Sequence, residues 1–300
     1  TPEGLGRYDG SVWTVFDTSN TPLMTEVFSA VAGTAGGKVW AGTEGCGLAY
    51  LNAGTWKGYP LVNLQLPNPY INTLWCAPDG ETWLGFGSAG MASFNGTAWK
   101  TYNYLNTGLY LHGVSSILSV AEKSDMLWIG TDSDGLVSSN GTQWTSHSLV
   151  NSGLSSGAIT CLATGLDGKI WSGTWGGVAS FDGMNWNAYT SSNSMLPGDD
   201  IAGIAQDNSG RIWIATKYDG LAVLDHGAWT LYDQIYSGLP VNMTTCIASE
   251  GARMIWNGTR YGLACFDQVN WSVFQSFNSG IPDDEVTALA IDRYGTKWVG

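Results

Sequence analysis

Short apolar runs bounded by Gly, Asn and Asp fill the chain from end to end, and one stretch shows the pattern in full. Ile201 to Asp207 is an apolar run of strand type, and Asn208-Ser209-Gly210 breaks it. Arg211-Ile212-Trp213-Ile214-Ala215-Thr216 alternates as a second strand before Lys217-Tyr218-Asp219-Gly220 interrupts. Leu221 to Leu224 is a third strand, Asp225-His226-Gly227 a hairpin turn, and Ala228 to Tyr232 a fourth strand. Aromatic and β-branched residues between turn formers predict four short antiparallel strands.

The same stretch recurs. Trp40, Trp83, Trp128, Trp171, Trp213, Trp256 and Trp298 open seven related phrases, and Trp13, Trp56, Trp99, Trp144, Trp186, Trp229 and Trp271 form a second set, each spaced by 42 to 45 residues. A fixed period in this range marks a repeat architecture. Four strands per unit, seven times, predict an all-β, seven-bladed β-propeller of four-stranded antiparallel blades. The ends complete the count: Trp298-Val299-Gly300 followed by Thr1-Pro2-Glu3-Gly4-Leu5 matches Trp256-Asn257-Gly258-Thr259-Arg260-Tyr261-Gly262-Leu263 in register. The reading is one domain, residues 1–300, with blades near 27–59, 70–102, 114–147, 158–189, 200–232, 243–274, and 285–300 plus 1–16. Its ring is closed by a blade shared between the N- and C-termini. Thr296 to Gly300 is expected beside a strand near Leu5 to Tyr8.

The tryptophans read as scaffold. Three residues after each of the second set stands Phe16, Tyr59, Tyr102, His147, Tyr189, Tyr232 or Phe274. An odd offset in a strand puts two rings on opposite faces, so one packs on the preceding blade and the other on the next. Asn95-Gly96, Asn140-Gly141, Asp182-Gly183 and Asp9-Gly10 read as tight turns between third and fourth strands. Asn95, Asn140, Asn242, Asn257 and Asn270 begin Asn-x-Ser/Thr sequons, several of them by-products of the repeat.

Composition narrows the classes. Charged residues make up only 12% of the 300, about half the usual ~25%, and the net charge is −13. That excess of acid argues against nucleic acid and anionic membrane surfaces. No apolar run approaches the ~18 residues of a membrane span, and no signal peptide is evident; the chain starts at Thr1 rather than Met, so a processed or trimmed chain is expected. Cys46, Cys76, Cys161, Cys246 and Cys265 lack CxxC spacing and read as small buried thiols, with one disulfide open to an exported protein.

The phrase around Ile204 to Thr216, set beside Ile291 to Gly300, resembles the two-component regulator propeller repeat: a strand, then Asp-x-x-Gly-x-x-Trp-x-Gly-Thr, then Gly-Gly-Leu, then a Gly-x-Trp strand. The Ser-Gly-Leu-Pro segment follows as Ser237-Gly238-Leu239-Pro240 and Ser279-Gly280-Ile281-Pro282. The resemblance spans the whole chain. It implies extracytoplasmic (periplasmic, cell-surface or secreted) bacterial sensor regions or free-standing surface proteins, and carries over no ligand residues. Phe86 for Thr, Ala215 for Gly and Gln268 for Gly depart from the pattern.

Repeat positions that break the repeat's own rule point to function. The segments between second and third strands vary: Glu3, Glu44-Gly45-Cys46, Gly87-Ser88-Ala89, Asp132-Ser133-Asp134, Trp175-Gly176, Lys217-Tyr218-Asp219 and Arg260-Tyr261. Trp175 and Trp75 alone stand outside both tryptophan series. Trp175, Lys217, Tyr218, Arg260 and Tyr261, with the acids Asp132, Asp134 and Glu44, suit a glycan, a peptide or another protein. Pro197-Gly198-Asp199-Asp200 and Pro282-Asp283-Asp284-Glu285 offer hard oxygens that would suit Ca²⁺. No other cofactor and no catalytic or metal residue is assigned. The primary expectation is therefore a non-catalytic binding propeller. Its rivals are a polysaccharide lyase or hydrolase using Asp132 and Asp134, with His112 nearby, and a structural subunit of an extracellular assembly.

Overall fold

The computed structural model describes residues 3–21, 25, 27–34, 36–59, 66–120 and 126–300. β1 (Leu5–Tyr8) and β2 (Trp13–Phe16) open the chain. The first blade is β3 (Phe28–Gly33), β4 (Val39–Thr43), β5 (Leu48–Asn52) and β6 (Thr55–Tyr59). The second is β7 (Ile71–Cys76), β8 (Thr82–Phe86), β9 (Met91–Phe94) and β10 (Trp99–Tyr102), followed by a short helix, α1 (Tyr104–Thr107). The third is β11 (Val114–Val120), β12 (Met126–Thr131), β13 (Leu136–Ser139) and β14 (Trp144–His147). The fourth is β15 (Ile159–Thr164), β16 (Ile170–Thr174), β17 (Gly177–Phe181) and β18 (Trp186–Tyr189). The fifth is β19 (Ile201–Gln206), β20 (Ile212–Thr216), β21 (Gly220–Asp225) and β22 (Ala228–Tyr232). The sixth is β23 (Thr244–Glu250), β24 (Met254–Thr259), β25 (Gly262–Phe266) and β26 (Trp271–Phe274). β27 (Leu289–Ile291) and β28 (Lys297–Val299) end the chain.

Each blade is a four-stranded antiparallel sheet in chain order, and the seventh sheet runs β2-β1-β28-β27. The fold is the seven-bladed β-propeller that the repeats predict, with one blade built from both ends. Its central pairing is Gly6 with Val299, Arg7 with Trp298 and Tyr8 with Lys297, the register read from the split phrase. Residues 1–117 with 274–300 form one compact unit, and residues 118–273 a second. The first unit holds the shared blade and blades one and two; the second holds blades four and five, most of six, and β12–β14.

The aromatic ladder packs as the odd offset requires. In the first unit Trp13 meets Phe274 of the blade before it at 6.1 Å, while Phe16 meets Trp56 of the blade after it at 5.4 Å. In the second unit Tyr189 meets Trp229 at 5.7 Å and Tyr232 meets Trp271 at 6.3 Å. The opening tryptophans Trp40, Trp171, Trp213, Trp256 and Trp298 are buried. At ~25 cal/mol/Å² each such ring contributes about 4–6 kcal/mol of burial.

Two departures from the repeat have local reasons. Most blades keep Gly before the Thr because both its partner across the sheet and the next blade's first strand lie against it: a Cβ at Gly173 would stand 2.5 Å from the Cys161 sulfur and 2.6 Å from an Ile201 methyl carbon. Ala215 fits in blade five because its partner across the sheet is Gly203. Gln268 takes the glycine conformation, φ 80°, where an L side chain is strained.

The turns between third and fourth strands owe more to their Asx oxygens than to paired positive φ. Asn95, Asn140 and Asp182 each accept from the N–H groups two and three residues on. At Asp9 the N–H groups of Val12 and Ser11 hold the carboxyl down at about 2. Asn257 of the sequon set is fully buried within β24.

Between first and second strands the acids do something that turn chemistry alone does not predict. Asp207 takes the N–H groups of Ser209 and Arg211 and also the indole N–H of Trp213, at 3.0 Å. Arg211 closes on the same carboxylate, Nε to Oδ2 2.7 Å. Glu250 accepts from Trp256 at 2.8 Å, and Asp292 from Trp298 at 3.2 Å. In each case the acid stands six residues before its tryptophan.

Candidate functional site

In blades one, three, four, five and six the segment between second and third strands is built around the threonine that ends the Trp-x-Gly-Thr phrase. Thr43, Thr131, Thr174, Thr216 and Thr259 are buried. Their hydroxyls donate to the carbonyls of Gly47, Gly135, Gly177, Gly220 and Gly262 at 2.7 to 2.9 Å. The same oxygens accept an N–H from inside the turn: Cys46, Asp134, Gly176, Asp219 or Tyr261. The glycine beyond is obligatory. Gly177 has φ 116°, and a Cβ there would collide with the Tyr189 carbonyl. A hydroxyl that satisfies two backbone groups fixes the turn and frees its side chains for solvent.

On this frame Trp175, Lys217 and Arg260 occupy the first turn position of the fourth, fifth and sixth blades, and all three are exposed. Tyr218 and Tyr261 hold the second. Trp175 is 64% exposed, Tyr218 53% and Tyr261 57%. The structure thus brings five of the predicted residues to one type of turn on three consecutive blades of one compact unit. Lys217 lies 3.8 Å from the Asp200 carboxylate, and its ammonium sits 5.5 Å from the Tyr218 ring centroid. Asp132 is exposed on the equivalent turn of blade three, where Asp134 is half-buried. Glu44 belongs to the other unit, on blade one, where it forms a β-bridge with Tyr70. Trp75 lies within β7 opposite Trp83, a wall position.

The entry segments touch these turns. The Gly177 N–H donates to the Asp199 carbonyl and the Lys217 N–H to the Asp200 carbonyl, both at 2.8 Å. The acids offered for Ca²⁺ serve loop closure: Asp199 accepts from Ser191 N and Oγ, Asp284 from Ser276 N, and Asp283 from Glu285 N. Their oxygens are directed at backbone donors, so the set does not fit a calcium cage. Among the described residues no group of three His, Cys, Asp or Glu converges as metal ligands.

The histidines and cysteines have local roles. His147 stacks on Trp128 at 5.3 Å and pairs with the Ser138 hydroxyl at 2.9 Å, and burial lowers its pKa. His226 contacts Asp225 at 2.6 Å in a turn at the opposite end of the blade. All five cysteines are free. Burial pushes Cys76 up to about 12 and Cys161 and Cys246 up to about 11, which makes them poor nucleophiles.

One aromatic group escaped the sequence reading. In the first unit Tyr104, Tyr110 and His112 stack in series at 4.5 and 5.2 Å on the segment leaving blade two. Asn103 caps α1 with a capping box, and that single turn of helix brings Tyr104 back to Tyr110. The Asn103…Asn106 spacing was the available signal.

The two-component regulator propeller family model matches residues 195–218, so the repeat recognised in the sequence is the one that family describes. No curated protein sequence matches the chain. Among solved structures, virginiamycin B lyase from Staphylococcus aureus superposes with TM-score 0.68 at 14% identity, covering 91% of this chain and 94% of that one. YCF48 bound to D1 peptide gives 0.64 at 14%, covering 91% and 92%. PorZ, a bacterial surface component of the type-IX secretion system of Porphyromonas gingivalis, gives 0.67 at 16%, covering 87% of this chain and 42% of that one. At these identities the likeness is one of fold.

Proposed function

We propose that this carrier of the two-component regulator propeller repeat is a non-catalytic, extracytoplasmic binding or interaction propeller, a single domain over residues 1–300. Its ligand surface is formed by the second-to-third-strand turns of blades four to six. The fold hosts a lyase, a surface component and a peptide-bound member, so function has to be argued from the site. One observation carries the reading: Trp175, Tyr218 and Tyr261 each leave more than half their surface in solvent on equivalent turns of adjacent blades, alongside Lys217 and Arg260. Large aromatics and a guanidinium presented together on rigid turns are the residue types that dominate binding energy. They offer flat faces and charge to a glycan or a peptide. Asp132 and Asp134 extend the surface with acid on blade three. Among the described residues no helix is long and apolar enough to cross a membrane.

A glycan array and a peptide array, followed by thermal-shift titration of Trp175→Ala and Arg260→Ala, test the surface. Each variant is expected to weaken binding about tenfold or more. Unchanged affinity in both would exclude these turns as the site.

A further inference from the structure

The turns of blades four to six share their end of the second unit with the segments that leave the fourth strands, because the Gly177 and Lys217 N–H groups reach the Asp199 and Asp200 carbonyls. Those segments hold apolar side chains in solvent. Val150 is 94% exposed, Tyr236 88% and Ile235 78%, and Met195 leaves more than half its surface in water. They stand in corresponding stretches after β14, β18 and β22. The other end of the same unit exposes fewer large apolar side chains, Leu166, Met184 and Val269. Single exposed apolar residues are ordinary on a protein surface, whereas a concentration of them marks an interaction face.

The same end carries a surplus of acid: Asp132, Asp134, Asp199, Asp200, Asp219 and Asp233 against Lys217 and Arg260. Asp199 is engaged by Ser191, Asp200 by Lys217, and Asp233 by the N–H groups of Ile235 and Tyr236. Asp132 and Asp219 are exposed, and neither carboxylate has a hydrogen-bond or ion-pair partner among the described residues. The Asp219 carboxylate lies over Gly198, where a Cβ would collide with it, so the entry segment leaves room for the acid beside Tyr218. One cation already rests here as a guest would. The Lys217 ammonium is 5.5 Å from the Tyr218 ring centroid and 3.8 Å from the Asp200 carboxylate, shared by an aromatic face and an acid.

We infer that a basic segment of polypeptide, and not a saccharide, occupies the turn surface proposed above, on which this assignment rests. Lysine and arginine side chains of the partner lie against Trp175 and Tyr218 and pair with Asp132 and Asp219. Its apolar side chains cover Ile235 and Tyr236. Arg260 brings N–H donors and no acceptor, which suits the carbonyl oxygens of an extended main chain. A neutral saccharide would leave the aliphatic side chains and both unpartnered carboxylates unanswered. An acidic one would be repelled by a chain of net charge −13.

The test selects short random peptides from a display library on the immobilised whole chain, with maltoheptaose and polygalacturonate titrated in parallel. The selected peptides are expected to carry net positive charge and at least one large apolar residue. Their affinity should fall about tenfold or more as NaCl rises from about 50 to about 300 mM. Trp175→Ala, Tyr218→Ala and Asp219→Asn should each weaken them about three- to tenfold. Asp225→Asn, which removes the same charge at the opposite end of blade five, should leave them unchanged. Tighter binding of a saccharide or of acidic peptides, lost in Trp175→Ala, overturns the partner assigned here and keeps the surface. Basic peptides that ignore all three turn variants overturn the surface as well. A library that yields no binder overturns the inference.

Discussion

Blades four and five are neighbours with the same strand plan and the same buried tryptophan, yet their first turns end differently. In blade five Asp207 closes on Trp213, Arg211 and two backbone N–H groups, and the tryptophan is fully served. In blade four Gly165 leaves the buried Trp171 N–H without a partner. At the other end the two blades agree: Thr174 and Thr216 make the same pair of bonds. The threonine closure is therefore what these two blades share beneath turns of different sequence, while their first turns differ in whether an acid answers the buried indole, by exchange of a single side chain.

The comparison can be broken most sharply by Asp207→Ala, which gives blade five the deficiency of blade four and also strands Arg211. A loss of about 3–5 kcal/mol is expected from urea unfolding, as for removing one member of a buried ion pair. A cost below 1 kcal/mol would mean that the acid seals the blade without stabilising it. Thr174→Val and Thr216→Val sharpen the agreement at the other end. Both should cost about 1–2 kcal/mol by leaving the same backbone groups unsatisfied, and a large difference between them would refute the closure they share. Gln268→Gly should raise stability by about 0.5–1 kcal/mol by relieving the left-handed strain, despite losing the hydrogen bond that the Gln268 Nε2 donates to the Arg253 carbonyl.

The smallest effect concerns pH. Blades four and five place Tyr189 and Tyr232 where blade three has His147. Burial depresses the His147 pKa, so the unfolded chain binds a proton that the folded chain refuses. Stability contributed by this site is complete above the ordinary imidazole range near ~6.5 and is lost as pH falls below it towards the folded value. His147→Tyr should flatten that part of the stability curve, and an unaltered pH profile would show that the ring titrates freely.

The fold was legible because its signals are periodic. Two tryptophans and a turn per repeat, with a Gly-Thr pair in most, placed every blade, and the split phrase placed the shared one. The exposed residues of the candidate surface were legible for the opposite reason, since Trp175, Lys217 and Arg260 break a rule that the rest keep. What escaped depends on side-chain geometry across a turn. The six-residue spacing of Asp207 and Trp213 is visible in the sequence, but the bond between them exists only once the turn folds the carboxylate over the indole. The threonines were visible as letters of the phrase, and their closure of the turn was not. The stack of Tyr104, Tyr110 and His112 needs a helical turn that four residues barely announce. Deviation was also the wrong filter for the unpaired Trp171 indole: Gly165 looks like an unremarkable loop glycine until the neighbouring blades show what it lacks.

The shared blade has a mechanical consequence. The outer ends of β1 and β28 leave the sheet side by side, Leu5 next to the Gly6–Val299 rung. Tension between these two ends would therefore open the pairing one rung at a time, as a zipper, and not shear all three together. Pulling between residues 3 and 300 in an optical trap should show this seam yield first, at lower force than the remaining blades. The ladder that joins the chain's two ends is thus its designated line of parting, through which a load on the flanks would first be felt.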